Sequence, residues 1–219
     1  MARASASPPS RSRLRRERER AETRERILDA AREMFVRLGY EATTMRAIAD
    51  RLDYTATAIY HHFRNKEELM MELATNDFRA LAGAFGRIGR IEDPIERLRR
   101  VGEAYVDFAL THPMQYQLMF MTPHPVMAVK GITRGDPGQD AYAFLRRIWE
   151  DALAAGRVRP EFTDPEELAQ MCWSQLHGLL SLHICKHNAT QNGESWIAWR
   201  DARHTARRMS EALIRGLTQ

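Results

Sequence analysis

Apolar residues recur at helical spacing through most of this chain. In the first such segment they share one helix face, at Ile27, Leu28, Ala31, Met34, Phe35 and Leu38. The last segment repeats the spacing, at Ala202, Ala206, Met209, Leu213 and Leu217. No sustained alternation of apolar and polar residues indicates a strand. The pattern therefore predicts an all-α fold of about nine helices.

Polar and glycine residues at the ends of the apolar segments predict where the first helices begin and end. Gly39 follows the first segment as a C-terminal glycine does. Thr44 and Thr55 are good N-caps for two short helices that follow each other closely. Asn65 can cap a fourth helix, which we expect to run from Lys66 to about residue 85.

One helix-start signal occurs three times further along the chain. Asp93, Asp136 and Asp164 are each followed by proline, with Glu or Gln three positions after the aspartate. This order resembles a capping box that has Asp in the cap. It predicts three more helix starts, and it leaves residues 122–135 as the one long irregular connection.

Charge is distributed unevenly along the 219 residues. The first 70 residues carry 15 Arg and Lys against 11 Asp and Glu, so the whole net charge of +4 lies there. This excess favours a polyanionic partner at the N-terminal end, although a solvated arm would also carry it. Residues 1–20 are rich in Pro, Ser, Arg and Glu, and we expect them to form a disordered basic arm.

Cellular location is indicated by what the sequence does not contain. No apolar run approaches the roughly 20 residues of a membrane span, and the N-terminus has no apolar core of a secretory signal. Cys172 and Cys185 do not form a CxxC pair. We therefore expect a cytoplasmic protein without a membrane partner.

The two short helices predict a helix-turn-helix, which places its second helix in the major groove of DNA. Ile59 and Phe63 would anchor that helix to the domain behind it, because they are four residues apart. Thr55, Ala56, Thr57, Tyr60 and His61 would then face outward. Small residues allow a close approach to the groove, and Thr can contact base edges or phosphates.

The segment Glu22–Leu69, ETRERILDAAREMFVRLGYEATTMRAIADRLDYTATAIYHHFRNKEEL, resembles the N-terminal domain of the TetR family of transcriptional repressors. The resemblance implies a helix-turn-helix domain over residues 21–70 and a ligand-binding and dimerisation domain over 71–219. It also implies a homodimer that binds a palindromic double-stranded operator and is released by a small molecule. The DNA-binding residues implied are Thr44, Arg46, Thr55, Ala56, Thr57, Tyr60, His61 and Lys66.

Two departures from the family pattern lie in this segment. The family usually has Gly in the turn where this chain has Asp53, and Asp tolerates a left-handed backbone better than most residues. The family often has Lys-Gly where this chain has Ala56–Thr57. We expect this second difference to alter the preferred operator sequence.

The C-terminal two-thirds resembles one branch of the family in its Trp-x-x-x-His-Gly motif, Trp173 to Gly178. A Met-rich segment, Met114 to Met121, could line a pocket for an apolar or aromatic effector. The candidate ligand-binding residues are Tyr105, Phe108, Met119, Phe120, Phe144, Trp149, Trp173 and His177. A plain Met-rich core and a packed Trp173–His177 pair remain alternatives to this pocket.

The resemblance also implies that the last two long helices, near 164–188 and 195–217, form the homodimer interface. An intramolecular helix pair is the alternative.

Metal and catalytic sites have little support. His61 and His62 point about 100° apart on a helix and cannot share one ion. His183 and His187 do share a face, but no third ligand accompanies them. No common catalytic motif occurs, so we expect neither an enzyme nor a cofactor. A small-molecule-binding or scaffold protein that has lost DNA binding is the main alternative.

Overall fold

The computed structural model describes residues 10–123, 132–187 and 197–219, and within these ranges the fold is all-α. It contains nine α-helices, a short 3₁₀ helix and a π-helical segment, and the described residues form no strand. A single isolated β-bridge joins Val158 to Thr218. The prediction of about nine helices is confirmed.

The helices form two compact units, Met1–Leu73 and Ala74–Gln219. The first unit contains α1 Arg11–Leu38, α2 Met45–Arg51 and α3 Ala56–Tyr60. Helix α4, Lys66–Phe85, begins in the first unit and ends in the second. The second unit continues with α5 Pro94–Thr111, α6 Pro113–Phe120, α7 Ala141–Ala154, α8 Pro165–Leu182 and α9 Ala202–Leu217. The 3₁₀ helix is Ile88–Arg90 and the π-helix is His183–His187.

Most predicted helix starts are present as hydrogen-bonded caps. The Thr44 hydroxyl accepts from the Ala47 N–H at 3.1 Å, and the Thr55 hydroxyl accepts from the Ala58 N–H at 3.2 Å. The Asn65 side chain accepts from the Glu68 N–H. Asp93 and Asp164 cap α5 and α8 in the same way. Each cap pairs with an N–H that the helix leaves unpaired, and it stabilises the protein by about 1 kcal/mol.

The predicted helix start at Asp136 is wrong. Its carboxylate accepts from the Gly138 N–H and from the Gln139 side chain, which closes a turn. Helix α7 begins four residues later, where Asp140 accepts from the N–H groups of Tyr142 and Ala143. Glycine is a poor residue inside a helix, and Asp140 offers a second cap beyond it.

The predicted disorder is wrong for residues 11–20, because they form the first turns of α1, which begins at Arg11. The Ser10 side chain caps the helix, and three ion pairs four residues apart follow its exposed surface: Arg13–Glu17, Arg15–Glu19 and Arg18–Glu22. Each pair stabilises a helix by roughly 0.2–0.5 kcal/mol. Residues 1–9 lie outside the described residues, as do residues 124–131 of the irregular connection.

Each unit has its own apolar core. In the first, fully buried side chains come from all the helices and include Ile27, Phe35, Ile48, Ile59 and Phe63. In the second, α5 packs against α6, α7, α8 and α9. Its fully buried side chains include Tyr116, Ile148, Trp149, Leu168 and Leu180.

Candidate nucleic-acid interface and ligand cavity

The turn between α2 and α3 depends on a left-handed residue. Asp53 has φ 56°, the one positive φ at a non-glycine position among the described residues. The backbone forms a tight turn here, because the Tyr54 N–H donates to the Ala49 carbonyl at 2.9 Å. The expectation that Asp53 adopts this conformation in place of glycine is confirmed.

Helix α3 has one buried and one exposed face. Ile59 is 0% exposed and Phe63, just beyond the helix, is 1% exposed, so the predicted anchors are confirmed. Tyr60 is 53% exposed. Thr55, Thr57 and His61 are exposed, Ala56 is half-buried, and Thr44 and Arg46 are exposed at the start of α2. We call the four exposed residues Thr55, Thr57, Tyr60 and His61, together with the half-buried Ala56, the recognition surface.

Lys66 is placed differently from the other predicted DNA-binding residues. Its ammonium group donates to the Tyr40 carbonyl at 2.7 Å and lies 4.1 Å from the centre of the Tyr40 ring. The lysine therefore ties the start of α4 to the end of α1. The ammonium also donates to the Glu41 carbonyl at 3.5 Å. Its phosphate contact stays a prediction, for which the ammonium would use its third donor.

Arg24 holds the end of α3 and was not predicted from the sequence. Its guanidinium donates to the His62 carbonyl at 2.5 Å, pairs with Glu72 and lies 4.0 Å from the centre of the Phe63 ring. Burial lowers the pKa of His62, and the nearby Arg20, Arg24 and His61 lower it further. His62 is therefore a neutral packing residue. No sequence signal separates Arg24 from the other arginines of α1.

The second unit contains a partly open cavity of about 870 Å³. Its walls are mostly apolar and come from helices α4 to α9 and from the connection before α7, which adds the charged residues Arg134 and Asp140. Such a volume and composition are typical of sites for drug-sized apolar ligands. Helix α4 contributes Ala74, Phe78, Leu81 and Phe85 to the lining.

Four of the eight predicted ligand-binding residues lie in the cavity lining: Tyr105, Met119, Phe120 and Trp173. The other four are not among the lining residues. Phe108 stacks on His112, Phe144 stacks on Phe85, and Trp149 is fully buried in the core. His177 contacts Tyr116 instead. The α4 residues were missed, although their helical apolar spacing could have indicated a buried face.

A chain of hydrogen bonds leads from the cavity wall into the interior. Trp173 Nε1 donates to Tyr105 Oη at 3.0 Å, and Tyr105 Oη donates to Tyr116 Oη at 3.0 Å. Tyr116 Oη lies 2.6 Å from His177 Nδ1, and His177 Nε2 lies 3.2 Å from Ser181 Oγ. We call these five residues the Trp–Tyr–His chain. The motif pair Trp173 and His177 is thus joined through two tyrosines.

All the titratable members of this chain are uncharged at neutral pH. Burial raises the pKa of Tyr105 to about 12 and also raises the pKa of Tyr116. Burial lowers the pKa of His177 from its ordinary value near 6.5. The chain therefore connects neutral donors and acceptors only.

Two other features of the described residues bear on function. They contain no group of three or more His, Cys, Asp and Glu side chains placed to hold a metal ion, and the His187 side chain lies outside them. No helix in the described ranges is long and apolar enough to cross a membrane.

Comparison with known families gives matches to both units. Residues 27–73 match the family described as bacterial regulatory proteins, tetR family. Residues 98–197 match the tetracyclin repressor-like C-terminal domain.

Individual relatives extend these matches. The transcriptional repressor KstR2 of Mycolicibacterium smegmatis is 40% identical over 149 residues, which are 64% of this chain and 70% of that protein. The repressor Rv1474c of Mycobacterium tuberculosis is 38% identical over 71 residues, which are 32% of this chain and only 38% of that repressor.

Among solved structures, the ketosteroid transcriptional regulator KstR2 of Mycobacterium tuberculosis has a TM-score of 0.62 at 19% identity. The match covers 90% of this chain and 95% of that one, and it shows a shared fold.

Proposed function

Because the chain belongs to the TetR family of DNA-binding transcriptional regulators, we propose that it is a repressor that binds a palindromic operator as a homodimer and is released by an apolar effector. The proposal rests on the presence of two candidate sites in one chain. A recognition surface lies on α3, and a mostly apolar cavity of about 870 Å³ lies in the second unit.

The recognition surface supports sequence-specific binding. Helix α3 is fixed from behind by Ile59, Phe63 and Arg24, so the exposed side chains are presented on a rigid element. Tyr60 and the two threonines supply hydrogen-bonding and apolar groups without charge. Such groups can read base edges and the thymine methyl group in the major groove. Arg46 is the cation that we expect to contact the backbone of the operator.

The exposed face of α8 supports the dimer. Ser174, Gly178 and Leu182 are exposed and follow each other at intervals of four residues, so they share one side of the helix. A side chain added at Gly178 would meet nothing within 4 Å in the monomer. A second copy of the chain could approach closely along this line. Helices α8 and α9 also pack on each other within the chain, and we propose that the pair makes a four-helix bundle with its copy.

Helix α4 is the element through which we expect the two sites to be coupled. It is continuous from Lys66, and its second half lines the cavity. An effector that prefers a different position of α4 would change the spacing of the two recognition helices. Half-sites lie about 34–36 Å apart, so a small misfit weakens operator binding. Operator binding must then weaken the effector by the same factor.

The first effector class to test is a ketosteroid, because the Mycobacterium tuberculosis KstR2 is described as a ketosteroid transcriptional regulator. We expect androst-4-ene-3,17-dione to bind the cavity and to reduce operator affinity by roughly 5- to 150-fold, the usual range of allosteric coupling. Operator binding is measured by fluorescence anisotropy with and without the steroid. A steroid that binds but leaves operator affinity unchanged refutes the coupling for that compound.

A matched pair of variants at Gly102 tests whether the steroid acts by binding in the cavity. A Cβ at Gly102 would lie 3.5 Å from Leu176 and from Ser210, which is ordinary contact, so Gly102→Ala should keep steroid binding. Gly102→Phe places a ring in the cavity and should weaken steroid binding by roughly tenfold or more. Both variants should bind the operator normally when no steroid is present.

A further inference from the structure

We propose that the Tyr105 hydroxyl, held in place by the Trp173 N–H, donates to a carbonyl oxygen of the effector, and that this binding reverses the Trp–Tyr–His chain between Tyr105 and Ser181. This inference rests on the proposed function and names the chemistry of its effector: an apolar molecule that carries a ketone or another neutral carbonyl group. Both residues line the cavity, and Trp173 is 38% exposed.

Without ligand, the Tyr105 proton is used inside the chain. The indole N–H donates to Tyr105 Oη, and the Tyr105 hydroxyl donates its own proton to Tyr116 Oη. Tyr116 must in turn donate to His177 Nδ1. The neutral imidazole then carries its proton on Nε2 and donates it to Ser181 Oγ. Each of the five groups thus has a defined role.

The same groups can also be connected in the opposite direction. The Ser181 hydroxyl can donate to His177 Nε2, and Nδ1–H can donate to Tyr116, which donates to Tyr105. No proton is gained or lost: the hydroxyl groups rotate, the Nε2–H bond breaks and an Nδ1–H bond forms by exchange with solvent. A neutral histidine has both tautomers available, and the hydrogen bond of one nitrogen decides which is present.

Reversal frees the Tyr105 O–H as a donor towards the cavity that both residues line. Tyr105 Oη then accepts from Tyr116 and still accepts from the Trp173 N–H at 3.0 Å, because a hydroxyl oxygen has two lone pairs. The reversed direction thus offers the cavity one donor that the forward direction keeps inside the chain. A ligand acceptor therefore selects the reversed direction.

The surroundings favour a neutral carbonyl over a carboxylate. The Phe120 ring centre lies 6.0 Å from that of Trp173 and 6.2 Å from that of Tyr105. The hydrogen-bonded chain itself contains no cationic side chain, and Arg134 lines the same cavity on the connection before α7. Burying an anion beside a neutral donor and aromatic rings costs more than one hydrogen bond returns. A ketone oxygen needs only that donor.

Two matched pairs of probes test the site by isothermal titration calorimetry on the full chain. Fluorenone is compared with fluorene, and benzophenone with diphenylmethane. Each pair shares one carbon skeleton, and the ketone is the less hydrophobic member. We expect the ketone to bind on the order of tenfold more tightly, as one moderate hydrogen bond would give. Tyr105→Phe should remove the preference.

Tyr142→Phe is the control variant, because Tyr142 also lines the cavity but its hydroxyl donates to Glu166 outside the chain. It should keep the preference for the ketone. Equal affinity for the two members of both pairs, or no binding by either pair, overturns the carbonyl site.

The reversal has its own signature in the nitrogen-15 NMR shifts of the His177 ring, which are assigned by their loss in His177→Gln. We expect an Nε2-protonated ring in the free protein and an Nδ1-protonated ring when the ketone saturates the site. An unchanged tautomer with a bound ketone overturns the reversal. A ketone that is preferred and shifts the tautomer but leaves operator affinity unchanged contradicts the proposed effector response and not the carbonyl site.

Discussion

Replacing Tyr60 and Thr57 together with alanine should abolish sequence-specific operator binding while the chain still folds and dimerises. Both side chains are exposed on α3, and neither contributes to the core of the first unit. A specific base contact contributes roughly 1–3 kcal/mol, and a dimer loses each contact twice. Because four contacts are lost, we expect operator affinity to fall by roughly three orders of magnitude or more in anisotropy titrations, towards the affinity for unrelated DNA. Binding to unrelated DNA should change little, because it depends on phosphate contacts.

The matched control for this variant is Leu38→Ala, which removes an exposed side chain from α1 in the same unit. It should bind the operator as the unaltered chain does. Sedimentation velocity checks that all three proteins have the same oligomeric state. Normal operator binding by the double variant would show that the recognition surface is misplaced, and loss of its dimer would show that these residues have a structural role.

The second large effect is expected from Phe63→Ala. Phe63 is 1% exposed, and its ring lies under the Arg24 guanidinium at 4.0 Å. Removing a buried phenyl group destabilises a domain by about 3–5 kcal/mol. We expect the amides of α1, α2 and α3 to exchange with deuterium much faster, because the first unit loses most of its stability. Operator binding should be lost with it.

Phe63→Leu is the control for this prediction, because it keeps most of the apolar volume and should cost less than half as much. The amides of α5 and α8 report on the second unit and should stay protected in both variants. Protection of α1–α3 that survives Phe63→Ala would contradict the anchoring role of Phe63.

Local chemistry explains which parts of the fold could be predicted from sequence. The caps at Thr44, Thr55, Asp93 and Asp164 depend on a side chain and on N–H groups two or three residues away, so the sequence contains the whole interaction. The left-handed backbone conformation of Asp53 could be predicted for the same reason, because it depends mainly on the residue type at that position. Asp136 shows the limit, because two aspartates four residues apart compete and only the second caps α7.

The cavity was less predictable than the helix-turn-helix because its walls combine distant helices. Tyr105 and Trp173 are 68 residues apart, yet they share a hydrogen bond. Trp149 and Phe108 are aromatic like several lining residues, but neither lines the cavity. Trp149 is buried in the core, and Phe108 stacks on His112. Aromatic content indicates that a pocket is possible, whereas helix packing decides which ring faces it. Arg24 is a similar case, since its three contacts come from other parts of the first unit.

The most direct test of the account is binding of the full chain to the DNA upstream of its own gene, compared with a shuffled fragment of the same composition. The measurement is made at about 0.15 M salt and repeated at higher salt, because affinity without a stated salt concentration has no clear meaning. We predict two chains per site and a preference for the upstream fragment of roughly a thousandfold or more. Equal affinity for the two fragments would contradict the account.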